Sequence, residues 1–179
     1  MVINSIAVFC GSKMGNNPLF EEHARQLGYL LVDHKVEAVY GGGNKGLMGA
    51  IANSILEKKG KVIGIMPKAL TEWEHHHNGI TELIIVNDMH TRKKMIYEKC
   101  DAAIILPGGF GTMDELYEIL TWNQLSLHNK AIFILNSEGF YNHLIAHNEC
   151  MRENGFLYNN LSEIIKILNE PEELVDYLK

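Results

Sequence analysis

The chain has 179 residues, a length that one domain commonly fills, and its 46% hydrophobic and 21% charged residues exclude a disordered or low-complexity protein. A formal net charge of −6 argues against a general nucleic-acid or membrane surface, so any anion site has to be local. Cys10, Cys100 and Cys150 are odd in number, far apart and without a CxxC, which fits neither a disulfide framework nor a zinc knuckle.

In chain order, Ser5–Cys10 is a short apolar run closed by Gly11 and Ser12, and it reads as a buried strand followed by a loop. Asn17 before Pro18 forms a helix-starting pair, with Glu21 and Glu22 in the first turn and Phe20, Ala24, Leu27 and Leu31 at helical spacing. Val36–Tyr40 is a second strand running into the glycine loop GGGNKGLMG. Leu47, Ile51 and Ile55 give the segment after it an apolar face. Val62–Met66 is a third strand ended by Pro67, and residues 68–82 show no clear period and read as irregular.

Leu83–Val86 is a fourth strand, after which Asp88 caps a helix carrying Arg92, Lys93 and Lys94. Ala102–Leu106 is a fifth strand leading into PGGFGTMDE, Pro107–Glu115, and a helix to about Ser126. Ala131–Leu135 is a sixth strand, Tyr141–Asn154 a helix, Glu163–Leu168 a last strand, and PEELVDYLK a terminal helix opened by proline. Apolar strands alternating with helices predict an α/β fold: one domain over residues 1–179 with a doubly wound, mainly parallel, Rossmann-like sheet covered by helices on both faces. Ligands of such sheets lie at the carboxyl ends of the strands, where both glycine loops and the Arg92 helix start.

Gly108, Gly109 and Gly111 can take the φ > 0 angles that side chains forbid, so the turn can bare backbone N–H groups to a ligand, and the following helix start adds positive partial charge, which together make a phosphate seat. Asp114 and Glu115 lie one turn beyond, and a phosphate cradle needs no carboxylate. Glycines serving only tight turns are credible for either loop alone; two such loops at strand ends favour a pocket. Gly41, Gly43 and Gly46 match GxGxxG, but the next strand ends in Met66, Pro67 and Lys68 without the acidic residue that holds a ribose. GGFGT lacks the lysine of a P-loop. Arg92 and Glu115 each keep a bland alternative, as a solvated helix face and as a first-turn carboxylate.

His75, His76 and His77 lack suitably spaced partners for a metal and read as a surface run. HLIAH, with His143 and His147, lacks the Glu of HExxH. Met48, Met66, Met95 and Met113 read as filler of core or pocket, while Trp122 and Leu125 fit either the core or a dimer contact. The thiols are expected to be reduced. The N-terminus lacks a signal-peptide pattern and no run reaches ~18 apolar residues, so the expected location is cytoplasmic, without a membrane partner.

YGGGNKGLMG, MHTRKKM and PGGFGTMDELYEILTW together resemble the Lonely Guy (LOG) family of cytokinin riboside 5'-monophosphate phosphoribohydrolases, often labelled lysine decarboxylases. PGGxGTxxE with an Arg 23 positions before its Glu is the specific part, and the likeness runs from Val8 to the terminal PEEL. The resemblance implies a catalytic pair, Arg92 and Glu115. It further implies a 5'-phosphate held by Gly108, Gly109, Gly111 and Thr112, with Ser12, Gly42 and Gly43 lining the site. Lys93, Asp114 and Thr121 match ligand-contacting positions, and Glu74 matches the residue that meets the base amino group. Family members commonly have Glu at position 114 and Tyr at position 20, where this chain has Asp114 and Phe20.

The implied reaction is hydrolysis of the N-glycosidic bond of an adenosine 5'-monophosphate, N6-modified or plain, by a homodimer that uses neither metal nor cofactor. No pyridoxal phosphate site, with a Schiff-base Lys and a pyridinium partner, is indicated. A general nucleotide nucleosidase and a nonenzymatic carrier or sensor of a phosphorylated nucleotide or cofactor remain as alternatives.

Overall fold

The computed structural model describes residues 2–71, 76–158 and 161–178. Seven strands form one sheet in the order β4-β3-β2-β1-β5-β6-β7: β1 (Ser5–Phe9), β2 (Glu37–Tyr40), β3 (Val62–Pro67), β4 (Glu82–Val86), β5 (Ala102–Ile105), β6 (Ala131–Leu135) and β7 (Ile165–Leu168). Every pairing is parallel, with Ile6 opposite Ala38 on one side and Ala102 on the other. Because side chains alternate along a strand, both faces of these apolar runs need cover. Ile6, Val8 and Cys10 pack with residues of α1 (Pro18–Asp33) and α2 (Gly46–Glu57). Ala7 and Phe9 pack on the opposite face with residues of α3 (Met89–Glu98) and α4 (Phe110–Gln124). The predicted α/β class with helices on both faces is what the chain adopts.

Helix starts follow local chemistry. Asn17 caps α1 by accepting from Leu19 N at 3.0 Å, and Asp88 caps α3 by accepting from Thr91 N at 2.8 Å. Departures concentrate near the C-terminus. Leu161–Ile164 forms a single turn, α6, before β7, because only Ile165–Leu168 finds partners on β6. PEELVDY is a 3-10 helix rather than an α-helix. Helix α4 stops at Gln124, and Ser126 takes φ 59, so Leu127 lies beyond it. Pro67 pairs within β3 opposite Val86 rather than ending the strand before it. Residues Lys68–Leu70 form a 3-10 turn, and His76 makes an isolated bridge to Gly43. Helix α5 (Asn142–Glu153) follows β6. No described helix is long and apolar enough to cross a membrane.

The strand order reverses direction between β1 and β5. A crevice opens where the loops after those two strands part, and this is the place at which α/β sheets bind ligands.

Candidate active site

Three loops are tied together at the reversal. Gly11 N donates to Pro107 O at 3.0 Å, and Leu47 N donates to Gly11 O at 3.0 Å, joining the ends of β1 and β5 to the start of α2. Between them lies a cavity of about 200 Å³ lined by residues that include Ser12, Gly41, Arg92, Gly109, Thr112 and Glu115. Helix α4 begins at Phe110 on a glycine N-cap that offers no side-chain acceptor. The first intrahelical bond runs from Met113 N to Gly109 O, so the N–H groups of Phe110, Gly111 and Thr112 have no acceptor within the helix. With the helix dipole behind them, these donors make an anion seat.

The glycines achieve this differently from the sequence expectation. None of Gly108, Gly109 and Gly111 has positive φ; Gly109 sits at φ −101, ψ −152. A Cβ on Gly109 or Gly111 would meet nothing within 4 Å, so their missing side chains leave room for a ligand instead of permitting a special turn. Gly108 is glycine because a Cβ there would come within 2.2 Å of Thr112 Oγ1. It faces a neighbouring apolar chamber of about 380 Å³ beside Met14, Phe20 and Phe140.

Arg92 and Glu115 meet on the floor, 8% and 9% exposed. Arg92 Nε donates to Ile65 O at 3.1 Å, which anchors the guanidinium to β3, and Nη2 stands 3.9 Å from Glu115 Oε1. Gly41 makes room for that placement, since a Cβ on it would fall 2.0 Å from Nη2. Burial pushes the Glu115 carboxyl up to about 7, a rise opposed by Arg92 and reinforced by Asp114. A carboxyl that titrates near neutrality, facing a fixed cation one turn from an anion seat, has the makings of a general base or a cation stabiliser.

A family model described as "Possible lysine decarboxylase" matches residues 48–178. A probable cytokinin riboside 5'-monophosphate phosphoribohydrolase of Oryza sativa subsp. japonica is 44% identical over 95% of this chain and 76% of its own length. The chain belongs to the LOG family. A cytokinin riboside 5'-monophosphate phosphoribohydrolase of Arabidopsis thaliana is 40% identical over 97% of this chain and 80% of that protein. One from Rhodococcoides fascians is 42% identical over 86% and 78%. Among solved structures, the molybdenum cofactor carrier protein of Chlamydomonas reinhardtii superposes with a TM-score of 0.73 over 97% of this chain and 94% of that one. At 15% identity it shares the fold.

The decarboxylase description of the family model implies pyridoxal phosphate, and the crevice does not fit that cofactor. Among the described residues no lysine lines it, so a Schiff base has no amine there, and we derive no step through the group. Lys93, one residue from Arg92, is turned away toward α4, where Nζ lies 3.1 Å from Asp114 Oδ2 and 3.2 Å from Glu118 Oε1. Burial works against the Lys93 ammonium, but these two bonds outweigh it and hold its pKa above the usual lysine value.

The other LOG positions divide the same way. Ser12, Gly109, Gly111, Thr112, Arg92 and Glu115 line the crevice. Asp114 and Thr121 line a shallow groove along α4, and Thr121 Oγ1 donates to Tyr117 O at 2.7 Å. Gly42, at φ 83, and Gly43 lie under a strap: His77 N donates to Gly42 O at 3.0 Å, and Gly43 bridges to His76. Gly41 therefore takes the lining place expected of them. Glu74, Trp73 and His75 lie outside the described residues.

The surface reading of the histidine run fails for His77, which is 8% exposed, with Nε2 3.0 Å from Asn53 Oδ1 and Nδ1 accepting from Gly79 N. Its ring has a lowered pKa, chiefly from burial. Trp122 packs edge-on against Tyr97 at 4.8 Å, whereas Leu125 is exposed. Two site residues went unnoticed in the sequence. Cys10 lines the crevice with its thiol pushed up by burial and by Glu115, and Tyr97 donates its hydroxyl to Glu115 O at 2.9 Å. The i, i+4 step from Lys93 to Tyr97 was the available signal for a shared face of α3.

Proposed function

We propose that this protein hydrolyses the N-glycosidic bond of adenosine 5'-monophosphates, N6-modified ones included, to free base and ribose 5-phosphate. The observation that carries the reading is the buried Glu115 facing the anchored Arg92 beside the helix-start anion seat. Support comes also from the names of the relatives, at about this identity over most of their length.

The 5'-phosphate takes the free N–H groups of Phe110, Gly111 and Thr112, with Ser12 alongside. That binding energy, remote from the bond that breaks, fixes the sugar for reaction. As the C1'–N9 bond lengthens, its electron pair moves to the base and C1' gains oxocarbenium character, which the ionised Glu115 stabilises. Water adds its oxygen to C1'; Glu115 takes the water proton, and the proton ends on the departing base. Arg92 orients Glu115 and faces the negative charge growing on the leaving side. The scheme requires neither metal nor cofactor.

The test is incubation with AMP and with isopentenyl-AMP, followed by assay for free base and ribose 5-phosphate. Tight binding without cleavage would favour a carrier, and equal cleavage of both a general nucleosidase. Glu115→Gln and Arg92→Ala are expected to lower turnover by ~10²–10⁴-fold while keeping a cooperative unfolding transition. Undiminished product release from either variant would sink the assignment. We further read the chain as one domain, cytoplasmic and homodimeric, in line with the family resemblance. Light scattering after size exclusion checks the last.

A further inference from the structure

Helix α4 carries three carboxylates within five residues, Asp114, Glu115 and Glu118, and only Glu115 turns into the crevice. Two cations come from the adjoining face of α3. Arg92 stands on the crevice side, 3.9 Å from Glu115, and Lys93 stands on the far side, bonded to both Asp114 and Glu118. Tyr97, one turn along α3, donates to Glu115 O and lies 3.2 Å from Glu118 Oε2. Among the described residues, the remaining titratable group facing Glu115 is the Cys10 thiol at the end of β1, which burial keeps protonated.

Among the described residues the local count is therefore three potential anions against two cations. Nearby like charge disfavours ionisation, and the group that yields is the one with least access to water. Glu115 is buried, whereas the Asp114 side chain is 59% exposed and keeps its contact with water. Lys93 itself is 11% exposed at its side chain and satisfied by its two partners, and it does not line the crevice. A residue placed so can reach the reacting sugar only through its neighbours.

We propose that Lys93 is a positioning residue: by pairing Asp114 and Glu118 behind α4, it leaves Glu115 as the carboxylate free to ionise toward the substrate. This rests on the hydrolase reading for its kinetic consequence, but the electrostatic arrangement does not depend on it. Lys93 acts on the acidic limb of the rate profile, and Glu118 acts on the same limb with opposite sign.

The experiment measures kcat/KM for isopentenyl-AMP from pH 5 to pH 9 in the wild type, Lys93→Met, Lys93→Arg and Glu118→Gln. Lys93→Met is expected to move the acidic limb up by ~1 pH unit, which costs about fivefold in rate at pH 7 and is largely recovered at pH 9. Lys93→Arg is expected to restore the wild-type limb, and Glu118→Gln to move it to lower pH. A limb that stays put in Lys93→Met, or a pH-independent rise in KM, would overturn the proposal and make Lys93 a substrate contact.

A second measurement needs no activity. The pH dependence of thermal unfolding, compared between Lys93→Met and Lys93→Met/Glu115→Gln, reports the Glu115 titration directly. Its midpoint is expected about one unit above that of the wild type compared with Glu115→Gln. A coincident midpoint would overturn the proposal even if the protein hydrolysed nothing, whereas a shifted midpoint without hydrolysis would leave it standing and remove the enzymatic reading.

Discussion

The two glycine-rich loops look alike in composition and do opposite jobs. In the loop after β2, glycine is needed for backbone and packing: Gly42 and Gly46 have φ 83 and 60, and a Cβ on Gly46 would stand 2.3 Å from the Ser12 carbonyl carbon. In the loop after β5, no glycine has positive φ, and Gly109 and Gly111 face open space. The first loop is shaped by the protein around it, including Arg92 pressed against Gly41; the second is shaped for something that is not protein. A glycine count does not distinguish these uses, whereas a substitution does.

The largest expected effect falls on the first loop. Gly46→Ala has to hold a side chain at φ 60 and push a methyl into the backbone of Ser12–Lys13, neither of which a rotamer change relieves. The expected loss is roughly 3–4 kcal/mol in the urea unfolding free energy. A loss under 1 kcal/mol would mean that this loop yields easily and that the contrast between the loops is one of degree.

How much of this was legible in the sequence follows the range of the interactions. Asn17–Pro18 and Asp88 announced helix starts because capping is decided within three residues. The strands were legible because each is apolar on both faces, which a parallel sheet under two helical layers requires. Glu163 and Ile164 were drawn into the last strand because the apolar run is continuous across Ile165, and only pairing with β6 decides where it begins. At the site, Arg92 and Glu115 were singled out by the family resemblance, because the residues alone left each with a bland alternative as a solvated helix face or a first-turn carboxylate. The division of labour between Arg92 and Lys93 was hidden because a helix turns about 100° between neighbours, sending one to the crevice and the other to Asp114 and Glu118. Tyr97 was hidden because it serves Glu115 through a backbone carbonyl, for which no residue type is a marker.

The second effect sharpens the contrast, because the helix that opens the second loop stores a destabilising group. Burial pushes the Glu115 carboxyl up to about 7 in the folded protein, against 4.5 for a freely solvated glutamate, so between those pH values the folded state binds more proton than the unfolded chain. Stability therefore falls as pH rises from about 4.5 to about 7 and then levels. Glu115→Gln has no such charge to bury. It is expected to match the wild type near pH 4 and to exceed its unfolding free energy by up to ~3 kcal/mol above pH 7, while losing turnover. Equal stability of the two proteins at pH 8 would show that Glu115 is not held in a costly ionised form.

The smallest effect is the one that most directly separates the loops. Gly111 lies in the first turn of α4, where alanine is a better helix former by about 0.5–1 kcal/mol, and no protein atom stands within 4 Å of the added methyl. Gly111→Ala is thus expected to raise the unfolding free energy by up to that amount. The same methyl projects from the turn whose N–H groups form the anion seat, and crowding a phosphate there should raise KM about tenfold, worth ~1.4 kcal/mol. Stability and substrate affinity then move in opposite directions at one position, whereas Gly46→Ala lowers both by disturbing the fold. If Gly111→Ala leaves KM unchanged, the phosphate does not sit on this helix start. If it destabilises the protein instead, the glycine serves packing, and the second loop is of the same kind as the first.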